Sequence, residues 1–379
     1  MSTKTESTKA EVVEAVKAFN LDWTCRGYQY ALGKTYEHKG EVQACHGGFH
    51  ACENPLDTFA YYEPGQARFA VVEMSGEFSR HAEDSKIASG RITIKAEIGI
   101  PEIVSRTIAW ITARCTPADA KHAEGDRSAS SATGNSSASS ATGYRSASSA
   151  TGDRSASSAT GDRSASSATG NRSASSATGD RSASSATGDR SASSATGDRS
   201  ASSATGNSSA SSATGYRSAS SATGDSSASS ATGDSSASSA TGYSSASSAT
   251  GYRSASSATG DSSASSATGY RSASSATGYR SASSATGNSS ASSATGDSSA
   301  SSATGYRSAS SVSGIAAVAM SIGRFGKARG SEGAAIVIVY HDDDGTLRHI
   351  FASKVGENGI KPDVFYTLDA DGKPVEVKS

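Results

Sequence analysis

Gly152-Asp-Arg-Ser-Ala-Ser-Ser-Ala-Thr160 is followed at once by Gly161-Asp-Arg-Ser-Ala-Ser-Ser-Ala-Thr169, and the same nine-residue unit starts at every ninth residue from Gly125 to Gly305, 21 copies in all. Only the two positions after glycine vary, the second between Asp, Asn and Tyr and the third between Arg and Ser. A fixed short period marks a stacked architecture, in which each unit is too small to bury a face alone and neighbours complete it. A flexible linker needs only a composition rich in Ser and Gly. Here position is held nearly letter for letter, and the variable pair follows glycine, where a turn sends side chains to solvent. The expected fold of this segment is a thin β-solenoid.

Alternation along a strand places Ser155, Ser157 and Ala159 on one face and Ala156, Ser158 and Thr160 on the other. The first of these is the expected inward face, since two sheets separated only by Ser and Ala can approach closely. Glycine and the variable pair form the corner, where positive φ is tolerated. One unit is too short to close a coil, so two units, 18 residues, are expected per turn. The tyrosines agree: Tyr144, Tyr216, Tyr252, Tyr270 and Tyr306 fall on copies of one parity, Tyr243 and Tyr279 on the other. About ten coils at roughly 4.8 Å each predict a rod about 50 Å long. Arg fills the third position in eight of the first nine copies, where adjacent Asp, as in Asp153 beside Arg154, offsets the self-repulsion of a stacked row. Tyr216, Tyr252, Tyr270, Tyr279 and Tyr306 are the candidate interaction surface.

The pattern Ala-x-Gly-x-x-Ser-x-Ser-x-Ala resembles the head repeat of trimeric autotransporter adhesins, a left-handed β-roll. It differs in period, in lacking apolar inward residues and in having no membrane anchor. Gly-Tyr-x-Ser with small hydroxyl residues is also similar to bacterial ice-nucleation repeats, which have another period and Thr-x-Thr rows. Both likenesses imply a solenoid and neither implies a function.

Net charge is −1, which gives no global pull toward nucleic acid or anionic membrane. The N-terminus, MSTKTESTKAEVVEAV, has no apolar h-region, so no secretory signal is expected, and no stretch nears the roughly 18 apolar residues of a membrane-spanning helix. Localisation in a host cytoplasm or a virion follows as the expectation. Cys25, Cys45, Cys52 and Cys115 all precede the repeat, and reduced thiols are expected.

Three parts are delimited: an α+β N-terminal domain over 1–118, the solenoid over 119–323, and a small β-rich C-terminal cap over 324–379. In the first, a short helix is expected at 11–19, strands at 23–37, 68–80 and 91–98, and an amphipathic helix at 101–115 with Val104, Ile108 and Ile111 on one face. That helix is expected to pack on the sheet and lead into the first coil as an N-terminal cap, since solenoids need their open edges covered. Strands are expected in the last part at 334–340, 346–355, 364–368 and 374–377. The Asp/Gly clusters at 342–345 and 369–372 read as hairpin turns, because neither continues into a twelve-residue calcium loop.

The order of parts resembles phage- and prophage-encoded proteins of unknown function. The likeness is carried by Thr24-Cys-Arg-Gly-Tyr28, Gly33-Lys-Thr-Tyr36, Gly48-Phe-His-Ala-Cys52 with Pro55-Leu-Asp57, the repeat, and Ile350-Phe-Ala352 near Gly359-Ile-Lys-Pro362. It implies a phage-associated, non-secreted origin and no established activity.

Two sites are candidates. Cys45, His50 and Cys52 could hold zinc through thiolate and imidazole, although their spacing lacks the usual Cys-x-x-Cys pair, and buried thiols without a cofactor are the alternative. Gly48-Phe-His-Ala-Cys-Glu-Asn-Pro55 followed by Phe59-Ala-Tyr-Tyr62 is similar to the central motif of ADP-ribosyltransferases. That resemblance implies a ligand contact at Arg26 and a motif position at His50. A matching catalytic carboxylate is missing, with only Glu73 and Glu77 as strand candidates, so an enzyme is not the leading expectation. The leading one is a structural or interaction protein whose solenoid serves self-association or a protein partner. The alternatives are an N-terminal ligand-binding or ADP-ribosyltransferase-like domain on a spacer, and a small-molecule sequestering, anti-defence protein.

Overall fold

The computed structural model describes residues 11–81, 84–114 and 120–377; Cys115 lies outside them. From residue 120 the chain winds into a β-solenoid of about twelve turns with an 18-residue period. Two parallel sheets stand back to back. The first begins with Ala120–Glu124, takes every second unit (Ser136–Thr142, Arg154–Thr160 and so on) and reaches Ala335–His341. The second begins with Ala129–Thr133, takes Arg145–Thr151 and its successors, and reaches Lys327–Gly330. Identical positions stack 18 residues apart, Ser155 on Ser173 and Ser164 on Ser182. The stack outruns the roughly ten coils expected from the repeats. Ala120–Glu124 joins it before the first glycine unit, and Val318–Ser321, Lys327–Gly330 and Ala335–His341 carry it past residue 323. At about 4.8 Å per coil the rod is roughly 58 Å long.

The inward face is the expected one: Ser155, Ser157 and Ala159 are buried. The middle serine of each unit lies at the centre. Ser157 Oγ donates to Ser148 Oγ at 3.0 Å and accepts from Ser166 Oγ at 2.9 Å, crossing between the sheets each time. Seventeen such bonds link eighteen serines from Ser139 to Ser292 in one unbroken zigzag. Each of the sixteen interior members both donates and accepts, so each bond polarises the next; the zigzag stops short of Ser130, whose buried hydroxyl has no partner among the described residues. The first inward serine closes the corner instead, as Ser155 Oγ donates to Thr169 O at 3.0 Å. Net hydrogen bonds contribute only about 1 kcal/mol each, but a core of Ser and Ala has little apolar area to offer, and their number carries the fold.

The invariant glycine is explained by close approach. A Cβ on Gly152 would sit 1.6 Å from Gly134 O, and one on Gly161 1.6 Å from Gly143 O. The backbones of successive corners touch, so no side chain fits at any copy within the stack.

In the N-terminal domain the strands are β1 (Val12–Asn20), β2 (Thr24–Cys25), β3 (Tyr28–Gln29), β4 (Thr35–Glu37), β5 (Phe49–Cys52), β6 (Ala67–Arg80) and β7 (Lys86–Ile98), followed by helix α1 (Ile100–Thr112). The sheet order is β4-β7-β5-β1-β6, and β7 also pairs with β6, closing β1, β5, β7 and β6 into a ring. The helix expected at 11–19 is a strand. All nine residues of β1 pair with β6, and both of its faces are buried. Ala15 and Phe19 pack with Tyr30, Phe49 and Ile92, whereas Val16 and Ala18 pack with Leu56, Phe59 and Ile103. A strand covered on both sides reads as an unbroken apolar run, which periodicity cannot tell from a buried helix. The strand expected across 23–37 is reduced to β2, β3 and β4, joined by turns with Trp23, Arg26 and Gly33 at positive φ.

The domain does not cap the rod's end as expected; it docks on its flank. Helix α1 lies across the outer face of the first sheet, against Ser136–Thr142, Arg154–Thr160, Arg172–Thr178, Arg190–Thr196 and Ser208–Thr214. Leu56, Phe59, Ile103 and Val104 bury the outward alanines Ala174, Ala192 and Ala210. A surface of Ala and Ser is flat enough to accept an apolar helix, and the flank offers several such rows where the end offers one. Asp57 pairs there with Arg172 and Arg190.

At the other end both sheets finish antiparallel, Leu347–Lys354 on Ala335–His341, and Tyr366–Leu368 then Pro374–Glu376 beside Lys327–Gly330. The core turns aliphatic: Val312, Ile336, Ile338, Val355, Ile360 and Leu368 cluster around Tyr366. The Asp/Gly clusters are turns, with Asp342 Oδ1 accepting from the Thr346 amide and Asp369 Oδ1 from those of Asp371 and Lys373.

Candidate functional site

The ring of strands opens into a cleft of about 630 Å³ lined by Lys17, Arg26, Tyr28, His50, Tyr62 and Lys86 among others, within the size range of small-molecule sites. Lys17 projects from β1 into its floor and is 5% exposed. Its Nζ donates to His50 O at 3.0 Å and to Cys25 Sγ at 3.4 Å, and lies 5.3 and 5.5 Å from the ring centres of Phe19 and Tyr30. Tyr62 Oη also donates to Cys25 Sγ, at 3.0 Å. Burial lowers the Lys17 pKa, against the opposing influence of Cys25 and Cys52.

His50 stands on β5, where its Nε2 accepts the Cys45 amide at 3.0 Å. Burial, then the positive charges of Lys17, Lys86 and Arg26, bring its pKa down to about 4, so the imidazole is neutral at pH 7. Burial alone would pull Lys86 down, but its contacts with Cys45 and Tyr61 prevail and raise it to about 12. Burial pushes the Cys52 thiol up, Asp57 and Asp84 adding to it.

The two expected ligand contacts, Arg26 and His50, thus line one cleft, as do Cys45 and Cys52. Among the described residues, no three His, Cys, Asp or Glu side chains converge to hold a metal ion. The carboxylates considered for transferase chemistry lie elsewhere. Glu73 pairs with Lys95 at 2.8 Å on the outside of the sheet, and neither it nor Glu77 lines the cleft. Pro55–Ala60, within the stretch similar to the transferase motif, forms one 3₁₀ segment that ends before Tyr61.

Tyr62 falls within the Phe59-Ala-Tyr-Tyr62 likeness, whereas Lys17 and Lys86 belong to no motif. A lysine inside the apolar run Val12-Val-Glu-Ala-Val-Lys-Ala-Phe19 was the available signal, because a buried charge there has to answer to a partner or a ligand.

On the rod, Tyr216, Tyr252, Tyr270 and Tyr306 occupy the corner leading into the second sheet, and Tyr279 the opposite corner. Tyr252 and Tyr270 stack in parallel with centroids 5.1 Å apart, and Tyr306 meets Phe325 edge-on at 5.3 Å. Four of the five candidate tyrosines thus share one edge of the rod, and Tyr279 stands on the other.

Residues 13–106 match the model of a domain of unknown function, DUF7666. The match coincides with the docked domain and stops short of the solenoid. No curated protein and no solved structure matches the chain.

Proposed function

We propose that the protein is a structural rod that pairs with a second copy through the outer face of its second sheet. The carrying observation is a contrast between chemically equal faces. Ala156, Ala174 and Ala192 on the first sheet are buried by the docked domain, while Ala147, Ala165, Ala183 and Ala201 on the second stay exposed. A trough lined by such Ala and Ser rows runs from Ala129 to Ala309. Eleven strands at about 4.8 Å, each crossing about 17 Å, give roughly 900 Å² per face, or ~1,800 Å² buried by two.

Charge favours one arrangement. Nine of the eleven copies on the second sheet carry Arg at the third position of the unit (among them Arg163, Arg181 and Arg199), whereas only Arg154, Arg172, Arg190 and Arg280 do so on the first. The edge holding these nine also carries Asp126, Asp162, Asp180, Asp198 and Asp234, nine less five, a net +4. The opposite edge carries Asp153, Asp189, Asp225, Asp261 and Asp297 against the four arginines of the first sheet, a net −1. A twofold axis along the rod sets each arginine edge against the partner's aspartate edge, with Arg stems lying on the alanine trough. Antiparallel rods would set arginine on arginine. The sequence resemblance to phage-encoded proteins supports a viral setting for such a rod.

Light scattering at low salt should give twice the chain mass. Arg163→Glu with Arg181→Glu and Arg199→Glu should yield monomers, and adding Asp153→Lys, Asp189→Lys and Asp225→Lys should restore pairing. A wild-type protein that stays monomeric at high concentration and low salt would sink the reading.

A further inference from the structure

The cleft of the N-terminal domain has a chemistry that the rod does not use. Four cationic side chains line it, Lys17, Arg26, Lys39 and Lys86, with Glu37 as the carboxylate among its lining residues, and Glu37 is engaged by Arg91 at 3.7 Å. The excess positive field inside is felt by a neighbouring group, since Lys17, Lys86 and Arg26 all act to keep His50 unprotonated. A site that repels a proton from one histidine attracts an anion by the same field.

The walls supply the other half. Tyr28, Tyr30, Phe49, Tyr61 and Tyr62 line the cleft. Tyr30, Tyr36 and Phe49 meet Tyr28 in tilted or edge contacts at 5.0 to 6.1 Å, yet Tyr28 keeps 46% of its surface exposed. An aromatic side chain braced by others and left bare at a cleft mouth is a stacking platform for a planar ring. Arg26 sits two residues away at φ +50°, a left-handed conformation that an arginine rarely adopts. The tight β2–β3 turn thus carries both the cation and the platform.

We propose that this cleft binds a small anion bearing a planar ring, of the mononucleotide type, with its charge met by Arg26, Lys17 and Lys86 and its ring laid on Tyr28. Lys17 then has a defined part. Held at the floor by His50 O and Cys25 Sγ, and facing Cys25, Cys52, Tyr30, Tyr62, His50 and Arg26, it gains proton affinity when an anion enters. The site is independent of rod pairing, because the cleft and the second sheet's outer face lie on separate parts of the molecule.

The experiment is calorimetric titration of the full chain with adenosine monophosphate, adenosine and inorganic phosphate, repeated with the guanosine, cytidine and uridine monophosphates. At least one nucleotide should bind ten-fold or more tightly than either half, a difference that one lost charge or stacking contact readily produces. Arg26→Ala and Tyr28→Ala should each weaken it about ten-fold while circular dichroism stays unchanged. Lys17→Met, which removes the buried cation, should weaken nucleotide and inorganic phosphate alike, about ten-fold. If no monophosphate binds, or nucleoside alone binds equally well, or phosphate alone does, the proposal is overturned.

Discussion

Asp57 and Arg172 form a buried ion pair between two parts of the chain, with Oδ1 2.7 Å from Nε and the two side chains 2% and 13% exposed. Arg190 approaches the same oxygen at 3.4 Å, and the second carboxylate oxygen accepts the Ser85 amide. The domain is thereby registered on particular coils of a rod whose units are otherwise nearly interchangeable. Arg172→Ser leaves a buried carboxylate short of its partner, and such losses cost about 3 to 5 kcal/mol. We expect protease cleavage or hydrogen exchange in β1 and α1 to rise sharply, while Arg181→Ser on the exposed face changes neither.

Gly161→Ala tests the corner packing. Its Cβ would fall 1.6 Å from Gly143 O, so the coils must separate locally and lose ladder bonds on both sides. Thermal unfolding should shift downward by well over 5 °C, whereas Asp162→Ser at the adjacent, exposed corner should move it by less than about 1 °C.

Deletions test the coil. Removing 233–250, one full 18-residue period, keeps every later strand on its own sheet and should leave a shorter rod of similar melting temperature. Removing 233–241 alone moves the aliphatic cap strands to the opposite sheet, where they meet the wrong partners. Its far-ultraviolet spectrum should remain β-rich while the cap loses exchange protection. Equal stability of the two deletions would contradict the two-sheet winding.

Ser166→Ala interrupts the serine zigzag, removing the acceptor of Ser175 and the donor to Ser157. A single interruption should destabilise by about 1 to 2 kcal/mol in denaturant titration, and two adjacent interruptions by less than the sum, since the bond between them is lost only once.

His50 gives the N-terminal domain an acid limit. Its folded pKa is depressed to about 4, below the ordinary histidine value near 6.5, so the unfolded chain binds the proton first. The stabilisation is complete above about pH 6.5 and is lost as the pH falls toward 4. His50→Gln should flatten that part of the pH–stability profile, measured by Trp23 fluorescence.

Much of the rod was legible because its repeat states one rule 21 times. The 18-residue coil, the inward Ser155, Ser157 and Ala159, and the tyrosine parity all follow from alternation and an odd period. The cleft was legible only in part. Arg26 and His50 stood out through motif likeness, but Lys17 did not, because a single lysine among apolar neighbours reads the same on a helix or a strand. β1 was misread for the same reason: burial on both faces erases the alternation that identifies strands.

The sequence alone determined the solenoid, its period, its core and its corner chemistry, since these depend on residues close in the chain and repeated along it. Only the tertiary structure decided where the N-terminal domain sits, which alanine rows remain exposed, and which side chains meet around Lys17. The docking rests on contacts between segments more than a hundred residues apart, as between Asp57 and Arg172, and the Lys17 cluster joins strands that meet only in the folded sheet, as at Cys25 and His50. Two sheets written in the same letters become different surfaces because the docked domain covers the earlier rows of one of them and none of the other.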